Sequence, residues 1–420
     1  MEPFIYRDNA LFCEDVPLSE LAEKFGTPCY IYSKAFLLSR CRAYQQALSA
    51  HKHLVCYSVK ASSNVNLLRI FAKEGLGCDI VSGGELFRAK IAEVPGHKIV
   101  YSGVGKTVDE IRDALNYGIL FFNVESEDEL RLINSTAAEM GVVAPVSLRV
   151  NPDVDPLTHP YISTGLKENK FGIPMVEAEQ IYLQSSNDYK NIKFTGIDCH
   201  IGSQLINLSP FRDTALRLRS LIETLHSQGL KLDYVDFGGG LGILYDDEDV
   251  PEVTQLVDIF TEVFAGLEIT FVLEPGRSMV GNSAVLLTKV QYLKSNAEKR
   301  FAVVDAGMND LMRPTLYGAF QKIDKVVSTK QSSPNPVYQY DIVGPICESG
   351  DFLAKDRAMP PLKQGDLLAV RSSGAYGFSM SSNYNSRPRV TELLIDGASV
   401  TVIRERETYE DLVRGENFVR

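Results

Sequence analysis

The chain has 420 residues, more than one small core accommodates, so two domains are expected. A hydrophobic fraction of 45% with 23% charged residues is that of a soluble globular protein, and the formal charge of −11 argues against nucleic acid or acidic membranes as partners. Seven cysteines, odd in number and without a CxxC spacing, fit reduced thiols in a cytoplasm; no disulfide framework and no metal site is expected. Met1-Glu2-Pro3-Phe4 lacks the basic-then-apolar build of a signal peptide, and no apolar run reaches membrane-spanning length, so a cytoplasmic location is expected.

The first 36 residues read as a short β-rich lead-in. Phe4 to Tyr6 and Ala10 to Cys13 flank an Asp8-Asn9 turn, Ser19 offers a helix cap, and Cys29 to Tyr32 reads as a strand. From Leu54 onward apolar strands alternate with helical patterns. The strands are read at 54–59, 78–81, 98–101, 119–124, 144–150, 194–200, 232–237 and 269–273. Asn64 offers a cap for the first helix, and Thr107 with Glu110 and Ser126 with Glu129 are capping-box pairs. Eight such strands point to a (β/α)8 barrel, with a doubly wound open sheet as the alternative. After about Gly281 the rhythm changes to strands with few helices, read at 284–293, 301–304, 337–343, 367–370, 389–395 and 399–404. This second part is mostly β, and the lead-in is a candidate to complete it. Between them, Thr329 to Pro336 reads as a loop, and the Pro- and Gly-containing segment around His159-Pro160-Tyr161 as a lid.

Polar residues converge on the C-terminal ends of the barrel strands. Lys60 follows the first strand, at the mouth of a buried run, where poor solvation favours a free amine. Asp79 lies in the second strand and His200-Ile201-Gly202-Ser203 ends the sixth. Gly238-Gly239-Gly240-Leu241-Gly242 follows the seventh and Glu274-Pro275-Gly276-Arg277 the eighth, where barrels commonly bind phosphate. An amine, a phosphate cradle and a carboxylate together suggest pyridoxal 5′-phosphate. Lys60 would hold its aldehyde as a Schiff base, and Glu274 would keep the ring nitrogen protonated.

Six ordered motifs carry a resemblance over nearly the whole chain: Tyr57–Ala61, His200–Gln204, Gly238–Gly242, Glu274–Arg277, Cys347-Glu348-Ser349-Gly350-Asp351 and Gly374-Ala375-Tyr376-Gly377. They resemble the alanine-racemase-fold pyridoxal-phosphate decarboxylases, and within that group the members acting on meso-diaminopimelate. The resemblance implies an α/β plus β architecture: a (β/α)8 TIM barrel at 37–282, and a mostly β domain from 1–36 and 283–420. It implies a homodimer whose active sites form between one subunit's barrel and the other's β domain. Lys60 is then the Schiff-base lysine, Glu274 the ring-nitrogen partner and His200 the residue stacked on the ring. Asp79, Gly239 and Pro275 fall in the cofactor site by the same likeness. Ser203, Gly240, Gly276, Arg277 and Tyr376 serve the phosphate, and Arg277, Arg313, Tyr317 and Tyr376 contact substrate. Cys347 gives the proton, and Glu348 binds the far amine.

The implied reaction is decarboxylation of meso-2,6-diaminopimelate to L-lysine and CO2, the last step of lysine biosynthesis by the diaminopimelate pathway. A distal carbon bearing both amine and carboxylate calls for an anion and a cation, and Glu348 and Arg313 supply that pair. The alternative is an ornithine/lysine-type or carboxynorspermidine-type decarboxylase of the same fold; the ornithine type commonly carries Asp where this chain has Glu348.

Overall fold

The structure is a computed structural model that describes residues 2–155, 170–296, 298–327 and 336–418. The expected lid around His159 lies outside the described residues. The chain divides into two compact units: Arg40–Ile243 with Asp249–Met279, and Met1–Ser39 with Leu244–Glu248 and Val280–Arg420.

Eight parallel strands close on themselves in the first unit: His53–Ser58, Gly77–Ile80, Ile99–Tyr101, Phe121–Val124, Ala144–Asn151, Ile192–Asp198, Tyr234–Asp236 and Thr270–Leu273. The last strand pairs with the first, Leu273 opposite Val55, so this is a barrel and not an open sheet. Its strands read as nearly unbroken apolar runs because both faces are covered; Phe121–Val124 is buried at every position.

Local signals set the helix starts. Asn64 Oδ1 accepts the Asn66 N–H, opening the helix Val65–Lys73. Thr107 and Glu110 form the full reciprocal box at Val108–Tyr117. The pair at Ser126 is only half a box. Ser126 accepts the Glu129 N–H, but the Glu129 carboxylate turns to the Glu125 N–H at 3.0 Å and to Lys106 Nζ at 2.6 Å. An almost fully buried ammonium needs an anion more than a helix needs its second cap. The first barrel strand also stops sooner than expected, at Ser58, and Val59–Ala61 forms a 3-10 turn that carries Lys60.

The second unit is built on a sheet whose order is Phe352–Met359, Tyr338–Val343, Arg300–Val304, Ala284–Ser295, Cys29–Ser33, Thr391–Asp396 and Ser399–Arg404. The lead-in is therefore integral: Cys29–Ser33 lies at the sheet's centre, fully buried. Phe4, Leu11, Leu18 and Ile31 share one apolar core with Val285, Leu287 and Leu393. Asp8 and Asn9 both take positive φ, 45° and 71°, as a tight hairpin turn requires. Ser19 does not cap; the helix Leu18–Phe25 starts after Pro17 and contains Ser19. The strand Phe352–Met359 gave no sequence signal. It is an edge strand with register shifts against its neighbour and a left-handed Asp356, so its alternation of apolar and polar residues is broken.

Candidate active site

Parallel closure brings the C-terminal ends of all eight strands to one mouth. Lys60 projects there from its turn, and Nζ donates to Asp79 Oδ2 at 2.8 Å. Asp79 is fully buried, and Ser58 Oγ donates to the same oxygen at 2.8 Å. The desolvated free amine expected from sequence is corrected: Lys60 keeps 36% of its side chain exposed and has an anionic partner in the next strand.

Glu274 lies deeper. Its Oε1 accepts from Asn123 Nδ2 at 3.1 Å and Ser102 Oγ at 3.2 Å. Burial, with Asp79 nearby, pushes its carboxyl up to about 7, while Lys60 pulls the other way. Beneath it Arg149 pairs with Glu125 at 2.6 Å and lies 3.8 Å from Asp198. The carboxyls of Asp198 and Asp236 are pushed well above their ordinary range, chiefly by burial and then by neighbouring acids.

The rim opposite is a backbone cradle. At Gly239 a Cβ would sit 2.4 Å from the Glu274 carbonyl oxygen. At Gly240 φ is +115° and a Cβ would meet the Gly202 carbonyl at 2.7 Å. No side chain fits in either place, so the backbone here packs directly against the neighbouring strand-end loops and forms a rim free of side chains. Arg277 donates to Ser203 Oγ from Nε at 3.3 Å and from its terminal nitrogen at 3.1 Å, which puts a guanidinium and a hydroxyl on the same rim. The Pro275 carbonyl accepts the Ser58 N–H at 3.1 Å, and a Cβ on Gly276 would lie 3.0 Å from the Ser58 Cβ, so the loop is fixed to the Lys60 turn. His200 Nδ1 accepts the Gly239 N–H at 3.1 Å, leaving Nε2 to carry the ring proton. Burial, with Arg149 and Lys60 nearby, lowers its pKa well below the usual imidazole range and keeps it neutral.

The remaining candidates lie in the second unit. Arg313 is buried at the start of a short helix, Arg313–Tyr317, with its guanidinium carbon 4.5 Å from the centre of the Tyr245 ring. Tyr317, at the helix end, is half-buried. Tyr376 is half-buried and takes φ +55°, a strained conformation for a tyrosine that is common at ligand sites. Cys347 and Glu348 are exposed on their loop. That loop is well anchored: Asp351 accepts the N–H of Ile346 at 2.7 Å and of Met308 at 2.6 Å. The Cys347 N–H donates to Asn385 Oδ1 at 2.7 Å, and Tyr384 OH donates to Glu348 at 3.2 Å. Thus Lys60, Asp79, His200, Ser203, Gly239, Gly240, Glu274, Pro275, Gly276 and Arg277 gather on the barrel mouth, whereas Arg313, Tyr317, Cys347, Glu348 and Tyr376 belong to the β-rich unit.

Sequence reasoning missed Ser58, Ser102, Asn123, Arg149, Asp198 and Asp236. The signal was present, since each is a polar residue in or just beyond an otherwise apolar strand, as in Phe121-Phe122-Asn123-Val124. Such residues face the barrel interior and find partners there.

A family model described as "Pyridoxal-dependent decarboxylase, pyridoxal binding domain" matches residues 34–281. Over the full length of both chains the protein is 52% identical to a diaminopimelate decarboxylase of Pseudomonas aeruginosa. The chain belongs to the diaminopimelate decarboxylase family. A solved diaminopimelate decarboxylase from Helicobacter pylori, complexed with L-lysine, superposes with a TM-score of 0.90 at 41% identity, over 94% of this chain and 98% of that one. A lysine/ornithine decarboxylase from Vibrio vulnificus, complexed with putrescine, shares the fold at a TM-score of 0.79, covering 90% and 97% of the two chains, with only 22% identity. Membership makes the chain a pyridoxal-dependent carboxy-lyase, and the alternative decarboxylases of this fold are not favoured. Among the described residues no helix is long and apolar enough to cross a membrane.

Proposed function

We propose that the protein decarboxylates meso-2,6-diaminopimelate to L-lysine and CO2, with pyridoxal 5′-phosphate held at the barrel mouth and the homodimer as the working unit. The observation that carries this reading is a primary amine, Lys60, sharing one mouth with a buried acid, Glu274, and a side-chain-free rim beside Ser203 and Arg277. Those groups fit the cofactor's aldehyde, ring nitrogen and phosphate in turn. When bound, the cofactor supplies an electron sink for the pair released as CO2 departs.

Lys60 would hold the cofactor's aldehyde, and Asp79 is placed to accept from its ammonium whenever that amine is free. Glu274 would keep the ring nitrogen protonated, and neutral His200 would contribute an uncharged ring to the cofactor's pocket. Ser203, Gly239, Gly240, Gly276, Arg277 and Tyr376 bind the phosphate. Arg313, with Tyr317, takes the distal carboxylate; its planar fork suits a bidentate partner. Glu348 takes the distal ammonium. Cys347 would supply the proton that replaces the departing CO2. Exposure of both Cys347 and Glu348 on an anchored loop supports a role in the neighbouring subunit's site.

The test is incubation with pyridoxal 5′-phosphate and meso-diaminopimelate, assayed for lysine and CO2. Equimolar products, with L-ornithine and L-lysine as poor substrates, are expected, because each leaves the buried Arg313 without a carboxylate. Comparable kcat/KM for ornithine would refute the specificity.

A further inference from the structure

The barrel interior holds more acid than base. Among the described residues, Lys60 and Arg149 are cations of this cluster, and Asp79, Glu125, Asp198, Asp236 and Glu274 are acids of it. Cys56 and Cys199 lie alongside, and burial keeps both thiols neutral. Asp79 is matched by Lys60 at 2.8 Å and Glu125 by Arg149 at 2.6 Å, whereas Arg149 approaches Asp198 only to 3.8 Å. Asp198, Asp236 and Glu274 remain, all buried, with oxygens within 4.8 Å of one another. Three negative charges so close and so dry repel strongly, so protons must reside on some of them.

Donors distinguish the three. Glu274 Oε1 accepts from both Ser102 and Asn123, which stabilises its charged form. Asp236 accepts the Gly238 N–H at Oδ1, 2.9 Å away, and shares Asn123 Nδ2 at a longer 3.4 Å. Asp236 and Glu274 have oxygens within 4.8 Å of each other and share the Asn123 Nδ2 donor, and two buried carboxyls so placed need one proton between them. We propose that Asp236 is a positioning residue: it stays a neutral acid, donates its O–H to Glu274, and leaves Glu274 charged and oriented toward the cofactor's ring nitrogen. The direction of titration agrees, since burial and the neighbouring acids Glu274 and Asp198 push the Asp236 carboxyl well above its ordinary range.

This inference rests on the proposed role of Glu274, but it can be tested on Asp236 itself. The full cofactor-free chain would be labelled with carbon-13 aspartate and its infrared carbonyl region recorded at neutral pH. A water-shielded carboxylic-acid absorption that shifts on aspartate labelling is expected; one component of it should be lost in Asp236→Asn and kept in Asp198→Asn. An aspartate-sensitive absorption unchanged in Asp236→Asn, or the lack of any such absorption, overturns the proposal. A band that emerges only after chelator treatment also overturns it, because a divalent cation would then be holding the three acids. Should Asp236→Asn not fold, the Asp198→Asn chain still decides, since loss of the labelled band there contradicts Asp236 as the proton holder. For cofactor affinity, Asp236→Asn should stay within about threefold of wild type, because an amide donates the same bond, while Asp236→Ala should lose about tenfold or more. Normal cofactor affinity in Glu274→Gln would instead fail the ring-nitrogen reading, with the Asp236 band still in place.

Discussion

The barrel floor and the Cys347 loop are both rich in reactive groups, yet they are built in opposite ways. On the floor, Asp79, Asn123, Asp236 and Glu274 are buried and held by side chains from neighbouring strands. On the loop, the backbone is pinned by Asp351 while the Cys347 and Glu348 side chains are left exposed. One chain thus preorganises the region that would hold the cofactor, but leaves Cys347 and Glu348, the proposed proton donor and distal-amine ligand, exposed. Preorganised dipoles act at no further cost in reorganisation, whereas an exposed thiol must be covered before it can work in a dry site.

Removing the amine on the barrel side should give the largest effect. Lys60→Ala should lower turnover to below about one part in 10⁴ while the fold survives, as circular dichroism would report. Borohydride trapping and peptide mapping of the wild type should place the cofactor on Lys60; label on another lysine contradicts the assignment. On the loop side, Cys347→Ala should lower kcat by about 10²–10⁴-fold with little change in KM, the signature of a lost proton donor. An unchanged kcat would remove Cys347 from the chemistry.

Arg313 tests the specificity half. Arg313→Ala should reduce kcat/KM for meso-diaminopimelate by about 10²-fold or more, since a buried charge pair is lost. The ratio of diaminopimelate to ornithine activity should fall with it; equal losses on both substrates would make Arg313 structural.

The smallest effect concerns stability. Burial lifts the carboxyls of Glu85, Glu274 and Asp310 to about 7. The folded chain therefore retains protons that the unfolded chain has released, so the stability from these groups is complete below their ordinary values and is lost as pH rises to about 7. Glu110 and Asp341, with lowered values, act in the opposite sense at lower pH. The Tm of the cofactor-free protein should thus fall between pH 4.5 and 7, and Glu85→Gln should flatten the slope. A Tm that rises through this window contradicts the burial assigned to these acids.

Much of this was legible in the sequence. Runs such as Leu54–Ser58 and Phe121–Val124 announce strands buried on both faces, and regular spacing of such runs announces the barrel. Lys60, the glycine run and Glu274–Arg277 were visible because each follows a strand. The floor was not legible, because Ser102, Asn123 and Asp236 acquire meaning only when distant strands bring them around Glu274. The strand Phe352–Met359 escaped because its register shifts break the period that reveals a strand. The half-formed box at Ser126 escaped because Lys106, a long-range partner, claims its glutamate.

The contrast between a finished floor and an outward-facing loop is tested most directly by mixing two inactive chains. Lys60→Ala and Cys347→Ala proteins, each first shown to be nearly inactive, would be unfolded together in equal amounts and refolded. Half of the resulting dimers are hetero, and each of these carries one doubly mutated site and one intact site. A two-fold symmetric dimer with shared sites then recovers about a quarter of wild-type activity. No more activity in the mixture than in its two parents would mean that each site is built from a single chain.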